Sequence, residues 1–223
     1  MKFFRKNLID ITIFILLQYF FISFILMYLY VGGNPIHHNA TGYVWYFNYL
    51  SDLGRVFYFN GHKNPFGIFY DLSLILVGIG TAFYFYLVSS LVIKDKIRKL
   101  IVLLGVLSGL GYMLIGFFPV DLYLSKHVSA GMLAFYSFFL AELLLVIFVN
   151  RANFPFVFYA TLFLILLFVG RILLIYLTKD SVWEVGKILK FKTITQKIIV
   201  YGQVMISTFI LYSLKKRALY TGR

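Results

Sequence analysis

The stretch Asn48-Tyr49-Leu50-Ser51-Asp52-Leu53-Gly54-Arg55 lies in the one long polar break of a chain that otherwise consists of apolar runs joined by short basic turns. It combines a carboxylate, a guanidinium and a glycine, whose backbone is conformationally permissive. Aromatic residues flank it on both sides: Tyr43, Trp45, Tyr46, Phe47, Phe57, Tyr58 and Phe59. Aromatic side chains are enriched where a bilayer meets water. The stretch therefore predicts a folded loop at a membrane boundary.

The composition is typical of a membrane protein. Of the 223 residues, 61% are hydrophobic and 13% are charged, and the mean hydropathy is +0.89. A soluble domain of this length could not bury so much apolar surface, so the expected solvent is the lipid bilayer. The net charge of +13 does not indicate a nucleic-acid partner, because the basic residues cluster at the ends of apolar runs. The absence of cysteine excludes disulfides, thiolate metal sites and cysteine nucleophiles.

Six apolar segments predict an all-α fold, a single six-helix transmembrane bundle, with helices at about 8–31, 66–93, 100–118, 127–149, 155–177 and 194–214. Most have about 20 residues, enough to cross a hydrocarbon core of about 30 Å. A long outer loop, 32–65, separates the first two helices. Glycines 105, 109 and 116 recur at helical spacing and predict a closely packed, central third helix.

The distribution of basic residues predicts the orientation of the bundle. The N-terminus, the 94–99 turn and the 215–223 tail are rich in Lys and Arg. Cytoplasmic loops carry such an excess, so we expect a multi-pass protein of the cell membrane with both termini in the cytoplasm. A lysine-rich stretch, 178–193, is predicted as a loop on the outer side and weakens this asymmetry.

Seven charged or titratable side chains are candidates for an outward-facing polar pocket beneath loop 32–65. They are Asp52, Arg55, Asp71, Asp121, His127, Arg171 and Lys197. Buried polar groups must satisfy one another or bind a ligand or water. We therefore expect Asp52, Asp121 and His127 to lie within about 10 Å of each other.

Asp121 and His127 leave two interpretations open. Asp121 follows Pro119, which ends the third helix, and could serve only as a cap at the start of the fourth. Together with His127 it could equally bracket a metal or a proton-transfer site. No His-Glu-x-x-His pair is present, and histidines in exposed loops are usually solvated, so no metal and no cofactor is expected.

Two further charges are predicted inside the hydrocarbon, where each needs a partner or a wet cavity. Arg171 lies at a depth from which it could pair with Asp71 or Asp52. Alternatively, its guanidinium could clamp an anion or a lipid headgroup. Glu142 lies in the cytoplasmic half, where we expect it to be protonated or reached by cytoplasmic water.

Three groups of residues carry a resemblance to a known family. They are Tyr49-Leu50-Ser51-Asp52-Leu53-Gly54, then Gly116-Phe117-Phe118-Pro119-Val120-Asp121 with His127, and then Thr195-Gln196-Lys197. In this order they resemble an uncharacterised prokaryotic family of six-helix membrane proteins, a domain of unknown function distantly similar to DRAM-like membrane proteins. The chain departs from that pattern in Val128-Ser129, where Asn and small residues would be expected, and in Lys197, where Arg would be. The resemblance implies a six-helix fold and no particular reaction.

Three functions are compatible with these observations. The first is non-enzymatic: the outer pocket binds lipid headgroups or a partner membrane protein. The second is a membrane-embedded lipid hydrolase that works through Asp and His, with or without a metal. The third is a proton-coupled transporter that uses Glu142 and Arg171.

Overall fold

The structure, a computed structural model, describes residues 2–150, 152–177 and 185–220. Within these ranges the side chains of 2–5, 171, 174, 175, 177, 185 and 218–220 lie outside the description. The described chain is helical, with α1 Lys2–Leu29, α2 Gly67–Ser89, α3 Asp95–Phe117, α4 Leu124–Phe148, α5 Pro155–Leu177 and α6 Val185–Tyr220. Its one β feature is an isolated bridge between Phe57 and Lys63.

Length and hydropathy indicate a membrane protein. Five helices are long and apolar enough to cross a bilayer, over Lys6–Leu29, Gly67–Ser89, Asp95–Phe117, Leu124–Phe148 and Gly186–Arg217. The part of α5 with described side chains, Pro155–Gly170, forms a shorter apolar helix. The all-α prediction is confirmed for the described residues, and a sixth membrane crossing stays a prediction.

The start of α6 was predicted wrongly. The helix begins at Val185, so residues 185–193 are helical and not part of a loop. Lysine is a good helix former, and its apolar stem packs along a helix while the ammonium reaches water. With 36 residues, α6 is about 54 Å long, which exceeds the hydrocarbon thickness of about 30 Å. Its first turns can therefore stand above the bilayer.

The helices pack mainly as neighbours along the chain. α3 lies between α2 and α4, α5 packs against α4 and α6, and α1 packs against α2 and α6, which closes the bundle. The predicted close packing of α3 is confirmed. A Cβ built on Gly109 would lie 2.4 Å from the Gly78 carbonyl oxygen, and one on Gly111 would lie 2.4 Å from the Ala134 nitrogen. Only a glycine permits this approach of one helix backbone to another.

Residues 32–66, which we call the cap, fold over one end of the bundle. The cap contains a 3₁₀ turn, Leu50–Gly54, and a hairpin-like return around the bridge between Phe57 and Lys63. Leu50 and Leu53 of the turn are buried in the same apolar core as the helices. The cap is thus part of the folded core.

Candidate functional site

Asp52 lies at the centre of the cap and is only 3% exposed. Its Oδ2 accepts hydrogen bonds from the Tyr49 backbone N–H at 2.8 Å and from the Asn48 side-chain amide at 3.3 Å. Arg55 Nη1 lies 4.0 Å from Oδ1. Burial raises the pKa of Asp52 to about 6, although these hydrogen bonds and the charges of Arg55 and Lys197 oppose the rise. Asp52 therefore holds the 3₁₀ turn together from inside.

Asn48 links separate segments of the cap by hydrogen bonds. It was not among the predicted site residues. Its side chain is fully buried, donates to the Gly33 carbonyl oxygen at 2.9 Å and accepts from the Val44 N–H at 2.9 Å. With its bond to Asp52, it joins three separate parts of the cap. A neutral amide in a loop carries no charge signal, so the sequence marked Asn48 only by its place next to the Tyr-Leu-Ser-Asp run.

Three side chains of α6 hold the cap from below. Thr193 donates its hydroxyl to the Tyr46 carbonyl at 2.7 Å, and the Gln196 side-chain oxygen accepts from the Leu50 N–H at 2.9 Å. Lys197 donates to the Asn48 carbonyl oxygen at 2.5 Å. Positions 193, 196 and 197 share one helix face by their spacing, so one face of α6 carries the whole contact.

Lys197 is buried to 1% exposure, which is rare for a lysine. Its ammonium lies 5.3 Å from the Tyr43 ring centroid and 5.2 Å from that of Trp45. Aromatic faces attract a cation, and the Asn48 carbonyl accepts one of its protons. Lys197, one of the predicted site residues, therefore places a buried ammonium group against the underside of the cap.

Asp121 binds the cap from the turn between α3 and α4. Oδ1 accepts from the Val56 N–H at 3.1 Å and Oδ2 from the Phe57 N–H at 2.9 Å. Tyr123 occupies the N-cap position of α4 without a side-chain capping bond. The interpretation of Asp121 as a helix cap is therefore wrong: its two oxygens satisfy backbone donors of the cap.

His127 and Asp71 lie near these contacts. His127 Nδ1 is 2.8 Å from the Phe118 carbonyl oxygen, so Nδ1 carries the proton and ties the first turn of α4 to the end of α3. Asp71, in α2, touches the 3₁₀ turn, because a Cβ on Gly54 would lie 2.5 Å from its Oδ1. Gly54 is thus required where the turn meets α2.

Arg55 and Arg171 complete the predicted set. The Arg55 guanidinium lies 4.0 Å from the Phe59 ring centroid, and its Nε donates to the Phe57 carbonyl at 3.0 Å. The Arg171 side chain lies outside the described residues, so its pairing with Asp71 or Asp52 stays a prediction.

The structure therefore brings the cap, the α3–α4 turn and α6 together. The Asp52 side chain is buried within the cap, and Asp121 accepts hydrogen bonds from backbone N–H groups of the cap. The distances of about 10 Å or less expected among Asp52, Asp121 and His127 stay a prediction. Among residues with described side chains, no group of three or more His, Asp or Glu is arranged to hold a metal ion. The hydrogen bonds of both Asp52 and Asp121 act to fold the cap.

Two lysines lie over aromatic rings around the cap, and we call these lysines and rings the rim. The Lys126 ammonium is 5.2 Å from the Phe118 centroid and 5.3 Å from that of Tyr123. Lys190 lies 4.8 Å from the Tyr46 centroid and also faces the Phe47 ring at 5.3 Å. Tyr46 and Tyr123 are 44% and 45% exposed. The rim thus presents ammonium groups and aromatic rings to the surroundings.

Comparison with known proteins gives no relative: no family model matches the chain, and no curated protein or solved structure is significantly similar to it. The resemblance to a six-helix family of unknown function therefore stays a prediction, and function must be argued from the geometry.

Proposed function

We propose that the protein is an integral protein of the cell membrane with six spanning helices and both termini in the cytoplasm. In this proposal the cap faces outward, and its rim binds the headgroups of anionic phospholipids. The observation that carries the proposal is the position of Lys126 and Lys190 over half-exposed aromatic rings on the bundle end that holds the cap.

The chemistry of the rim fits a lipid phosphate. Tyrosine and phenylalanine rings settle at the level of the headgroups, where their apolar bodies remain in the bilayer. An ammonium group over an aromatic ring is attracted to the face of the ring without a conventional hydrogen bond. Its N–H groups therefore remain able to donate to a phosphate oxygen. Each Lys near an anionic surface contributes about 1 kcal/mol of attraction.

The hydrogen bonds of Asp121 and His127 support this proposal over the hydrolase alternative. Asp121 and His127, the residues proposed for a hydrolase, are engaged in hydrogen bonds to the cap and to Phe118. The transporter alternative, which couples Glu142 to Arg171, stays a prediction, because the Arg171 side chain lies outside the described residues. A partner protein at the same surface is an outcome that the experiment below distinguishes.

Tryptophan fluorescence provides the test. The chain has two tryptophans, Trp45 and Trp183, so Trp183→Phe leaves Trp45 as the reporter. Trp45 belongs to the cap and is 40% exposed, and its ring contacts the buried Lys197 of α6. The purified protein is placed in phosphatidylcholine vesicles that contain brominated phosphatidylglycerol or brominated phosphatidylcholine. Quenching by the two brominated lipids gives their relative affinity for the surface next to Trp45.

We expect brominated phosphatidylglycerol to quench Trp45 at lower mole fractions than brominated phosphatidylcholine. The double change of Lys126 and Lys190 to Gln should reduce that preference by about tenfold or more, from about 1 kcal/mol for each lysine. Lys94→Gln is the matched control, because Lys94 lies over the Phe148 ring at 5.2 Å between α2 and α3, away from the cap. Equal quenching by both lipids would refute binding of anionic lipid at the rim. So would a preference for phosphatidylglycerol that persists in the double variant, and a protein partner would then be the alternative ligand of the rim.

A further inference from the structure

Glu142 is a buried carboxyl that the cap does not use. It lies on α4, is 1% exposed, and accepts one hydrogen bond among the described side chains, from the Tyr84 hydroxyl of α2 at 2.9 Å. Its second oxygen, Oε2, has no partner among those side chains. Thr161 on α5 is fully buried beside the carboxyl, and its hydroxyl is in the same position. Buried polar atoms are almost always hydrogen-bonded, so this pair requires a further partner.

A third hydroxyl in the same position belongs to Ser207 of α6. Its Oγ is buried and has no hydrogen-bond partner in the described part of the chain. Ser207 lines a narrow space inside the bundle, which we call the first space. The hydroxyl-bearing rings of Tyr19, Tyr84 and Tyr112 line it as well. The first space is therefore surrounded by groups that both donate and accept hydrogen bonds.

Gln203 of α6 connects this region to Glu142. A second space lies between α4, α5 and α6, with Glu142 and Gln203 in its wall, and Gln203 lines the first space too. The Gln203 Oε1 accepts from the Tyr112 hydroxyl at 3.0 Å. Its amide nitrogen carries two N–H groups that no described residue accepts, so one is available to each space.

The size of the two spaces selects the ligand. In each, about 20 Å³ is open to the centre of a water molecule. A buried water needs about 10–15 Å³ on this measure, together with two to four polar partners. The first space offers the tyrosine hydroxyls, Ser207 and Gln203, and the second offers Glu142 and Gln203. Each space therefore admits one water molecule and nothing larger.

We propose that the bundle interior binds two water molecules, one in each space, and that they join Glu142 through Gln203 to the tyrosines below the cap. The water in the second space donates to Glu142 Oε2 and accepts from the Gln203 amide. The water in the first space accepts from Ser207 Oγ and donates to a tyrosine oxygen. Both sites lie apart from the rim and do not rest on the lipid-binding proposal.

These waters complete a polar column through the bundle. Tyr19 shares a hydrogen bond with Tyr70 at 3.0 Å, and Tyr70 contacts the cap at Gly54. Tyr70 and Tyr84, at the two ends of the column, both lie on α2 and are about 21 Å apart along its axis. Carboxyls inside a membrane are found where water or another polar group reaches them. Because water both donates and accepts, Glu142 keeps a partner whether it is protonated or ionised.

X-ray footprinting of the full-length protein in nanodiscs tests the proposal. A brief X-ray pulse converts bound water to hydroxyl radicals, which oxidise the side chains next to it, and mass spectrometry locates the added oxygen. Phe138 lines both spaces, whereas Phe85, whose ring centroid lies 4.9 Å away, lines neither. We expect oxidation of Phe138 and none of Phe85. If Phe138 is as unreactive as Phe85, the interior is dry and the proposal is overturned.

Two glutamine variants show whether the label comes from the proposed waters. Gln203→Leu removes the amide that holds both waters and should abolish oxidation of Phe138. Gln18→Leu is the matched control, because Gln18 donates to the Ser73 carbonyl from α1 and lines neither space, and it should leave the oxidation unchanged. Oxidation that persists in Gln203→Leu would overturn the proposal. Equal loss in both variants would also overturn it, because the label would then depend on general packing.

A variant of Ser207 keeps the test decisive if Gln203→Leu does not fold. Ser207→Val replaces the hydroxyl by methyl groups at the wall of the first space. It should reduce oxidation of Tyr112, which lines the first space, and spare Phe135, which lines the second. Unchanged oxidation of Tyr112 would overturn the water site in the first space.

Discussion

The cap should open more readily as the pH rises, because of one buried carboxyl. Burial raises the pKa of Asp52 to about 6 in the closed cap, from a usual value of 3.8. The closed state therefore binds a proton more tightly than an opened state in which Asp52 meets water. The protonated carboxyl stabilises the closed cap below pH 3.8, and this contribution is lost as the pH rises through about 6.

The size of the effect follows from the same shift. A difference of about 2.2 pKa units at about 1.36 kcal/mol per unit corresponds to about 3 kcal/mol, or about a hundredfold in the opening equilibrium. Arg55 at 4.0 Å and the Lys197 ammonium oppose the shift, as does the hydrogen bond from the Tyr49 N–H. Burial outweighs them because Asp52 is only 3% exposed. The full value is an upper limit for a cap that opens completely.

Cysteine labelling measures this opening, because the natural chain has no cysteine. Leu53→Cys places a thiol at a position that is 2% exposed and reacts only when the cap opens. Lys63→Cys, at an exposed position of the cap, reports the pH dependence of the thiol itself. The ratio of the two labelling rates should rise by up to about fiftyfold between pH 4 and pH 7. Asp52→Asn should make the ratio independent of pH.

Either of two results would refute this reasoning. A ratio that falls as the pH rises would mean that Arg55 and Lys197 stabilise the Asp52 carboxylate by more than burial destabilises it. A rise that persists in Asp52→Asn would assign the titration to a group other than Asp52. Repeating the measurement with Leu50→Cys, at a position 1% exposed, checks that the trend does not depend on the reporter.

Two other predictions concern the bundle. Gly109→Ala should lower stability by about 1–3 kcal/mol, seen as a lower thermal midpoint in detergent, because its Cβ would lie 2.4 Å from a carbonyl oxygen of α2. Gly131→Ala, whose Cβ would have no described atom within 4 Å, is the control and should be neutral or slightly stabilising; equal losses would contradict the packing argument. In intact cells, an impermeant reagent should label Lys63→Cys but not Lys99→Cys, and the reverse pattern would invert the proposed topology.

The fold class could be predicted because it depends on averages over long segments. A run of about 20 apolar residues is a strong signal, and glycines at helical spacing locate close helix contacts. The start of α6 could not be predicted in this way. Lys187, Lys190 and Lys192 make that stretch polar, and polarity next to a membrane looks like a loop. From the sequence, a helix that continues into water can be told from a loop only by the helix propensities of its residues, which are a weak signal.

The candidate site could be predicted only in part, for a related reason. Asp52, Asp121 and Lys197 stand out because charged residues are rare in so apolar a chain. Thr193 and Gln196 are neutral and bind backbone groups of the cap. Gln196 stood out only as part of Thr195-Gln196-Lys197, and Thr193 only by its spacing from Lys197 on one helix face. The expected pocket assumed that charged side chains converge on one another. The structure shows that Asp121 binds backbone N–H groups, which are donors present at almost every residue and leave no signal in a sequence.

Two buried carboxyls differ in how fully their surroundings satisfy them. Asp52 accepts two hydrogen bonds and has a guanidinium nearby, so its surroundings account for its burial within the cap. Among the described side chains, Glu142 accepts one hydrogen bond, from Tyr84, and its Oε2 has no partner. Folding alone explains the first arrangement. The second arrangement leaves a buried oxygen without a hydrogen bond among the described side chains, so packing of the described residues does not fully account for it.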